Sequence, residues 1–195
     1  MIKRTLMAAA LSLAFAGAYA QTTAAETTQR DVNQQTRIEN GLKDGSLSTG
    51  EAARLEKEEG HVDHLQAQAL NNGKLSRAER LRLNAAQNKV SRDIAADKHN
   101  AVNGNPNSAS SERMQADVAR NVNPEKRIAA GVQSGALTTH EAAKLDRGQA
   151  HLDRREAAAG SDGHVGAAEQ RGIQHAENHQ SRRIRREKHD AQGRG

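Results

Sequence analysis

Apolar residues along this chain recur at three- and four-residue intervals, the spacing of one face of an α-helix. Ile38 and Leu42 form one short stripe, Leu55, Val62, Leu65 and Ala69 a second, and Leu83, Val90 and Ile94 a third. The first two stripes each end at a recurring polar segment. Asp44-Gly45-Ser46-Leu47-Ser48-Thr49-Gly50-Glu51 returns 28 residues later as Asn72-Gly73-Lys74-Leu75-Ser76-Arg77-Ala78-Glu79. Both read polar-Gly-x-aliphatic-Ser/Thr-x-x-Glu. In that order glycine ends one helix in a left-handed conformation, the hydroxyl caps the next, and glutamate three positions on completes a capping box. Helix, tight turn, helix, tight turn, helix is therefore predicted for residues 30–99.

The pattern then repeats as a whole. A shift of 90 positions aligns residues 30–99 with 120–189 without a gap, and 27 of the 70 positions are identical. The turn segments of the second copy run from Ser134 to Glu141, with Gly135, Leu137 and Thr138, and from Asp162 to Glu169, with Gly163 and Val165. Residues 100–119 open with Asn100-Ala101-Val102-Asn103-Gly104-Asn105-Pro106, which reads as a flexible linker. The predicted architecture is all-α: two tandem three-helix modules, 30–99 and 120–189, joined by the linker 100–119. Residues 21–29 and 190–195 are expected to be disordered ends. The second module should be the weaker, because Leu65, Leu70, Leu81 and Val90 become Arg155, Gly160, Arg171 and Gln180.

The N-terminus has a different character. Lys3 and Arg4 precede an apolar run from Leu6 to Ala16, and Ala18-Tyr19-Ala20 is a small-x-small cleavage site, the three-part pattern of a secretory signal. Residues 1–20 are expected to be removed and the product to be periplasmic or secreted. The run is shorter than the roughly 20 residues needed to cross a bilayer, so no transmembrane segment is expected.

Composition narrows the function. The only aromatics, Phe15 and Tyr19, lie inside the signal, and the chain has no Cys and no Trp. An aromatic-free mature chain argues against most enzyme pockets and against base stacking on nucleic acid. Without Lys3 and Arg4 the chain keeps 27 basic and 24 acidic residues, a charge of +3, too even to imply a nucleic-acid partner. No nucleophile–base pair, paired catalytic carboxylates or His-Glu-x-x-His motif is present, so no enzymatic activity is expected.

Two kinds of candidate chemistry remain. The turn resembles the second half of an EF-hand loop, with glycine at its sixth position, an aliphatic residue at its eighth and glutamate at its twelfth. The resemblance implies calcium ligands among Asp44, Glu51, Asn72, Glu79, Asp162 and Glu169. The third loop position, occupied by Leu42, Leu70, Val132 and Gly160, never offers a side-chain oxygen. The resemblance thus implies weak binding of a divalent ion, and the alternative is a purely structural turn. The nine histidines supply the second kind. His175 and His179 are four apart, and His61 and His64 flank Asp63, spacings at which a helix face can present ligands to zinc, nickel or copper. Against this stands the ordinary role of histidine on a polar helix surface.

Partner binding is the other open class. Asn88, Arg92 and His99 recur as Asn178, Arg182 and His189, and Arg182, Arg183, Arg185 and Arg186 form a basic cluster near the C-terminus. An envelope protein or an anionic envelope polymer is the expected partner. The sequence favours a non-enzymatic exported interaction or structural module, with weak metal binding as the alternative.

Overall fold

The computed structural model describes the backbone of residues 8–190 and the side chains of residues 24–190. Residues 1–7, the side chains through Thr23, on which the expected signal falls, and the tail beyond Asp190 lie outside the described residues. All the regular structure described is helical, in the order α1 (Ala8–Asp44), α2 (Thr49–Leu70), α3 (Arg77–Lys98), α4 (Ala109–Gln133), α5 (Thr139–Ala159) and α6 (Ala167–His189). None of these helices is long and apolar enough to cross a membrane.

The turns form by the predicted chemistry. Gly45, Gly73, Gly135 and Gly163 all have positive φ, between 72° and 83°. Ser48, Ser76 and Thr138 cap α2, α3 and α5, each in a reciprocal box with Glu51, Glu79 or Glu141. Gly166 begins α6 without a side-chain cap.

The copies do not stand apart on a flexible linker. The most extensive helix contact is between α2 and α5, and the next is between α1 and α4, so each copy packs chiefly on the other. α2 and α5 run antiparallel: Gly50 lies against Gly163 at one end of the contact and Gly73 against Thr139 at the other. A Cβ added at Gly60 would stand 3.1 Å from Asp153 Cβ and 3.2 Å from the Ala150 carbonyl, so the absent side chain sets how closely the helices approach. α1, α2, α4 and α5 make a four-helix bundle. α3 packs outside α1 and α2, and α6 outside α4 and α5.

Residues 109–119, expected in the linker, are the first turns of α4. The remaining loop is pinned, with Gly104 N–H donating to the Gly45 carbonyl at 2.9 Å and the Gln115 amide donating to the Pro106 carbonyl at 2.8 Å. Residues 21–29, expected to be disordered, lie within α1, where Ala24, Thr27 and Thr28 are buried.

Apolar side chains collect at the two ends of the bundle, and each end draws on both copies. One cluster joins Ile38, Leu42 and Leu55 to Met114, Val118 and Val165. The other joins Leu70, Leu75 and Leu83 to Ile128, Leu137 and Leu145. Three of the four substitutions expected to weaken the second copy fall where the packing accommodates them. Gly160 lets α5 meet Ala53, where an added Cβ would come within 2.8 Å, and the position of Leu81 is 61% exposed. Gln180 lies over Gly148 and donates to the Leu145 carbonyl at 2.8 Å.

Candidate functional site

Between the two apolar ends the bundle is filled with acids and amides. On α2, Glu56, Glu59, Asp63 and Gln66 follow one another at intervals of three and four, which places them on one helix face. The same positions of α5 carry Asp146, Gln149, Asp153 and Glu156, while α1 adds Asp31 and Gln35 and α4 adds Asn121 and Glu125. The duplication pairs every one of them, Asp31 with Asn121 and Gln35 with Glu125 among others. All twelve are at most 3% exposed. Eight are carboxylic acids, and among the described residues no Lys, Arg or His is buried with them.

Hydrogen-bond donors in this layer are scarce. Asp63 and Asp153 each keep one carboxylate oxygen buried without a partner. Asn121 Nδ2, with two protons to give, meets three carboxylate oxygens: Asp153 Oδ1 at 3.1 Å and Glu156 Oε1 and Oε2 at 3.0 and 2.9 Å. Gln35 donates to Glu56 Oε2 at 2.8 Å, and Gln87 of α3 donates to Asp31 Oδ1 at 2.6 Å. Both carboxylate oxygens of Glu59, and the amide oxygens of Gln35, Gln66, Asn121 and Gln149, are buried without a protein partner.

Electrostatics follow from that geometry. Burial raises Asp31 and Glu56 to about 7, although the hydrogen bonds from Gln87 and Gln35 oppose it. Glu59, Asp63, Glu125, Asp146, Asp153 and Glu156 are pushed well above the ordinary carboxylate range, first by burial. Repulsion from neighbouring acids adds to it, as Asp31 and Glu56 do for Glu59. Arg30 and Arg147 exert smaller opposing attractions on Asp31 and Asp146. An ion buried without a counter-ion costs several kcal/mol, against a total stability of about 5–15 kcal/mol. Eight such anions cannot coexist unneutralised in a folded chain. Either protons or cations must accompany them.

The residues singled out from sequence are placed differently. Asp63 alone among them belongs to the layer. Asp44, Asn72 and Asp162 accept the backbone N–H two residues on, and Glu51, Glu79 and Glu169 accept from the N-cap backbone. Those side chains are engaged in turn and cap formation, and α1 runs helically through Asn40, Leu42 and Asp44 of the first loop, as α2 does through Gln68 and Leu70 of the second. His61, His64, His175 and His179 are exposed, and among the described residues no histidine joins a set of three converging ligand atoms. His61 lines a groove between α2 and α3 with Arg54, Lys57 and Lys89, and His179 lines the related groove between α5 and α6 with Arg147, His151 and Arg183. Burial and Arg155 hold His151 below its ordinary pKa.

Of the proposed partner face, Asn88 accepts from Arg30 at 2.8 Å, whereas Arg92, His99, Arg182, Arg185 and Arg186 are exposed and Arg183 is half-buried. Ser91 and Ser181, retained in both copies, are held by Arg37 and Arg127 across α1–α3 and α4–α6. Cross-helix packing accounts for that part of the retained set.

Sequence reasoning missed the central layer because an acidic helix face ordinarily reads as a solvated one. A signal was present. The stripe 56, 59, 63, 66 holds only acids and amides, as does its copy 146, 149, 153, 156, while Lys and Arg occupy the neighbouring faces. No family model matches the chain, and no curated protein or solved structure matches it at a significant level.

Proposed function

We propose that this chain is an exported cation-binding protein whose four-helix bundle takes hard divalent ions into its central layer of carboxylates. The observation that carries the reading is the enclosure of eight carboxylic acids with no buried Lys, Arg or His among the described residues. Carboxylate and carboxamide oxygens are the donor set of calcium, magnesium and manganese, whereas zinc, nickel and copper favour the imidazoles that this bundle keeps outside. The unpartnered amide oxygens of Gln35, Gln66, Asn121 and Gln149 supply ligands beyond the carboxylates. Metal binding, second to an interaction module on sequence grounds, moves ahead because the strongest unsatisfied chemistry lies inside the bundle.

The test is metal retention. The mature chain is stripped with chelator and dialysed separately against calcium, manganese, magnesium and zinc at pH 7.5. Bound metal is then counted by mass spectrometry, and thermal midpoints are recorded. The reading expects retention of at least one oxygen-seeking ion, a raised midpoint, and loss of both in the Asp63→Asn/Asp153→Asn double variant. No retention and unchanged midpoints for every ion would overturn it.

A second reading, the docking of an anionic envelope polymer, is favoured by the two duplicated grooves bearing Arg54, Lys57 and Lys89 on one copy and Arg147 and Arg183 on the other. Salt-sensitive co-sedimentation with such a polymer, lost in an Arg147→Ala/Arg183→Ala variant, is its expected signature.

A further inference from the structure

The duplication builds the same groove twice, and the two differ in charge. One lies between α2 and α3 and the other between α5 and α6. In the first, Lys89 Nζ is 2.8 Å from Glu58 Oε1 and 2.7 Å from Asp93 Oδ2, and Arg54 is paired with Asp97. That groove carries its own counter-ions.

The second groove has lost most of them. Position 148 is Gly where the first copy has Glu58, position 183 is Arg where it has Asp93, and His179 replaces Lys89. A Cβ at Gly148 would come within 2.2 Å of Gln180 Oε1, so the packing of Gln180 excludes any side chain, and with it a carboxylate, at that position. Arg147 and His151 correspond to Lys57 and His61. The lining therefore holds two guanidinium groups and two imidazoles with no carboxylate among them.

These groups have donors to spare. Arg183 is half-buried, and among the described residues its one ion pair is a long contact with Glu187, at 3.9 Å. Arg147 gives a single hydrogen bond, to Asn71 Oδ1 at 3.2 Å. A guanidinium offers five N–H donors in a planar fork, so most of theirs have no protein acceptor. His151 Nε2 accepts from Arg155 at 3.0 Å, which leaves its proton on Nδ1 as a further donor.

The charge and the shape select the ligand. The groove encloses about 400 Å³, within the range of small-molecule sites. Arginine forks match the paired oxygens of a phosphate, and two permanent positive charges on facing helices are balanced by a dianion. A phosphate monoester is close to doubly charged at neutral pH, whereas a carboxylate or a phosphodiester leaves one guanidinium uncompensated.

We propose that the α5–α6 groove binds a soluble phosphate monoester, with Arg147 and Arg183 on its phosphoryl oxygens and His151 and His179 beside them. The self-neutralised α2–α3 groove does not. This site needs neither metal in the central layer nor a polymer on the surface, so it stands or falls apart from both readings above.

The experiment titrates glycerol 1-phosphate into the full mature chain in chelator and follows amide shifts by NMR. Saturable shifts are expected at residues 147–151 and 179–183 and not at 57–61 and 89–93. Arg183→Asp, which installs the first-copy residue, and Arg147→Gln, at an exposed position, should each weaken the affinity about tenfold while leaving the ligand-free thermal midpoint in place. Dimethyl phosphate, a monoanion, should bind more weakly by a similar factor, and Asp63→Asn/Asp153→Asn should bind glycerol 1-phosphate as the wild type does. No saturable shift, equal shifts in both grooves, or unchanged affinity in both arginine variants would overturn the site. Binding only to vesicles containing phosphatidic acid, with no response to the soluble ester, would overturn it in favour of a membrane surface.

Discussion

Asp63 and Asp153, the same position in the two copies, raise the cost of each other's charge across the contact of α2 with α5, and each is at most 3% exposed. Two carboxyl groups buried together without a counter-ion cannot both be charged. Without metal, the layer must therefore hold protons at a pH where ordinary carboxylates have lost theirs. Burial raises Asp31 and Glu56 to about 7, above the unfolded-state values of roughly 4. A folded state that binds protons more tightly than the unfolded chain is most stable below the unfolded pKa and loses that stability as pH rises through the folded one. Thermal midpoints in chelator should accordingly fall between pH 5 and pH 8. Circular dichroism melts across that range check it, and a midpoint that rises toward neutrality would contradict the buried layer.

Replacing either member of the pair by its amide should relieve this. An Asn at position 63 or 153 has the shape of Asp and brings two N–H donors to a layer whose acceptors outnumber its donors. In chelator at pH 7.5, Asp63→Asn or Asp153→Asn is expected to stabilise the chain by about 1 kcal/mol, which is about 2–4 °C for a chain of this length. The slope of midpoint against pH should flatten with it. A large loss of stability in both variants would show that the carboxylates are already neutralised by something the amide cannot replace.

The closeness of α2 and α5 rests on Gly60, whose added Cβ would stand 3.1 Å from Asp153 Cβ. Gly60→Val should force the helices apart at the polar layer and cost about 1–3 kcal/mol, although glycine is itself a poor helix former. Gly172 of α6 has nothing within 4 Å of an added Cβ, so Gly172→Ala should gain about 0.5–1 kcal/mol from helix propensity alone. Chemical denaturation of the two variants should move the midpoint in opposite directions.

Because each apolar end mixes both copies, the chain should unfold in one step. Ile38 of the first copy and Ile128 of the second are both fully buried, at opposite ends of the bundle. Ile38→Ala and Ile128→Ala should each cost about 2–5 kcal/mol and shift one common transition. Two resolved transitions, with each substitution moving only its own, would restore the picture of separate modules.

The sequence on its own determined what depends on neighbours along the chain. Glycine at 45 and 135 takes positive φ, and Ser48 and Thr138 cap helices, because turn and cap energetics act within a few residues. The duplication and the all-helical class were legible for the same reason. Where the linker ends and α4 begins was not, since residues 109–119 owe part of their order to packing on the first copy, through Met114, Val118 and Gln115. The acidic face of α2 is equally local, and in isolation it would lie in water. Only the tertiary structure decided that α5 covers it with an acidic face of its own, placing Asp63 on Asp153. Burial is a property of what lies opposite in space, and for Glu56, Glu59 and Asp63 that covering surface is some 90 residues away in the chain.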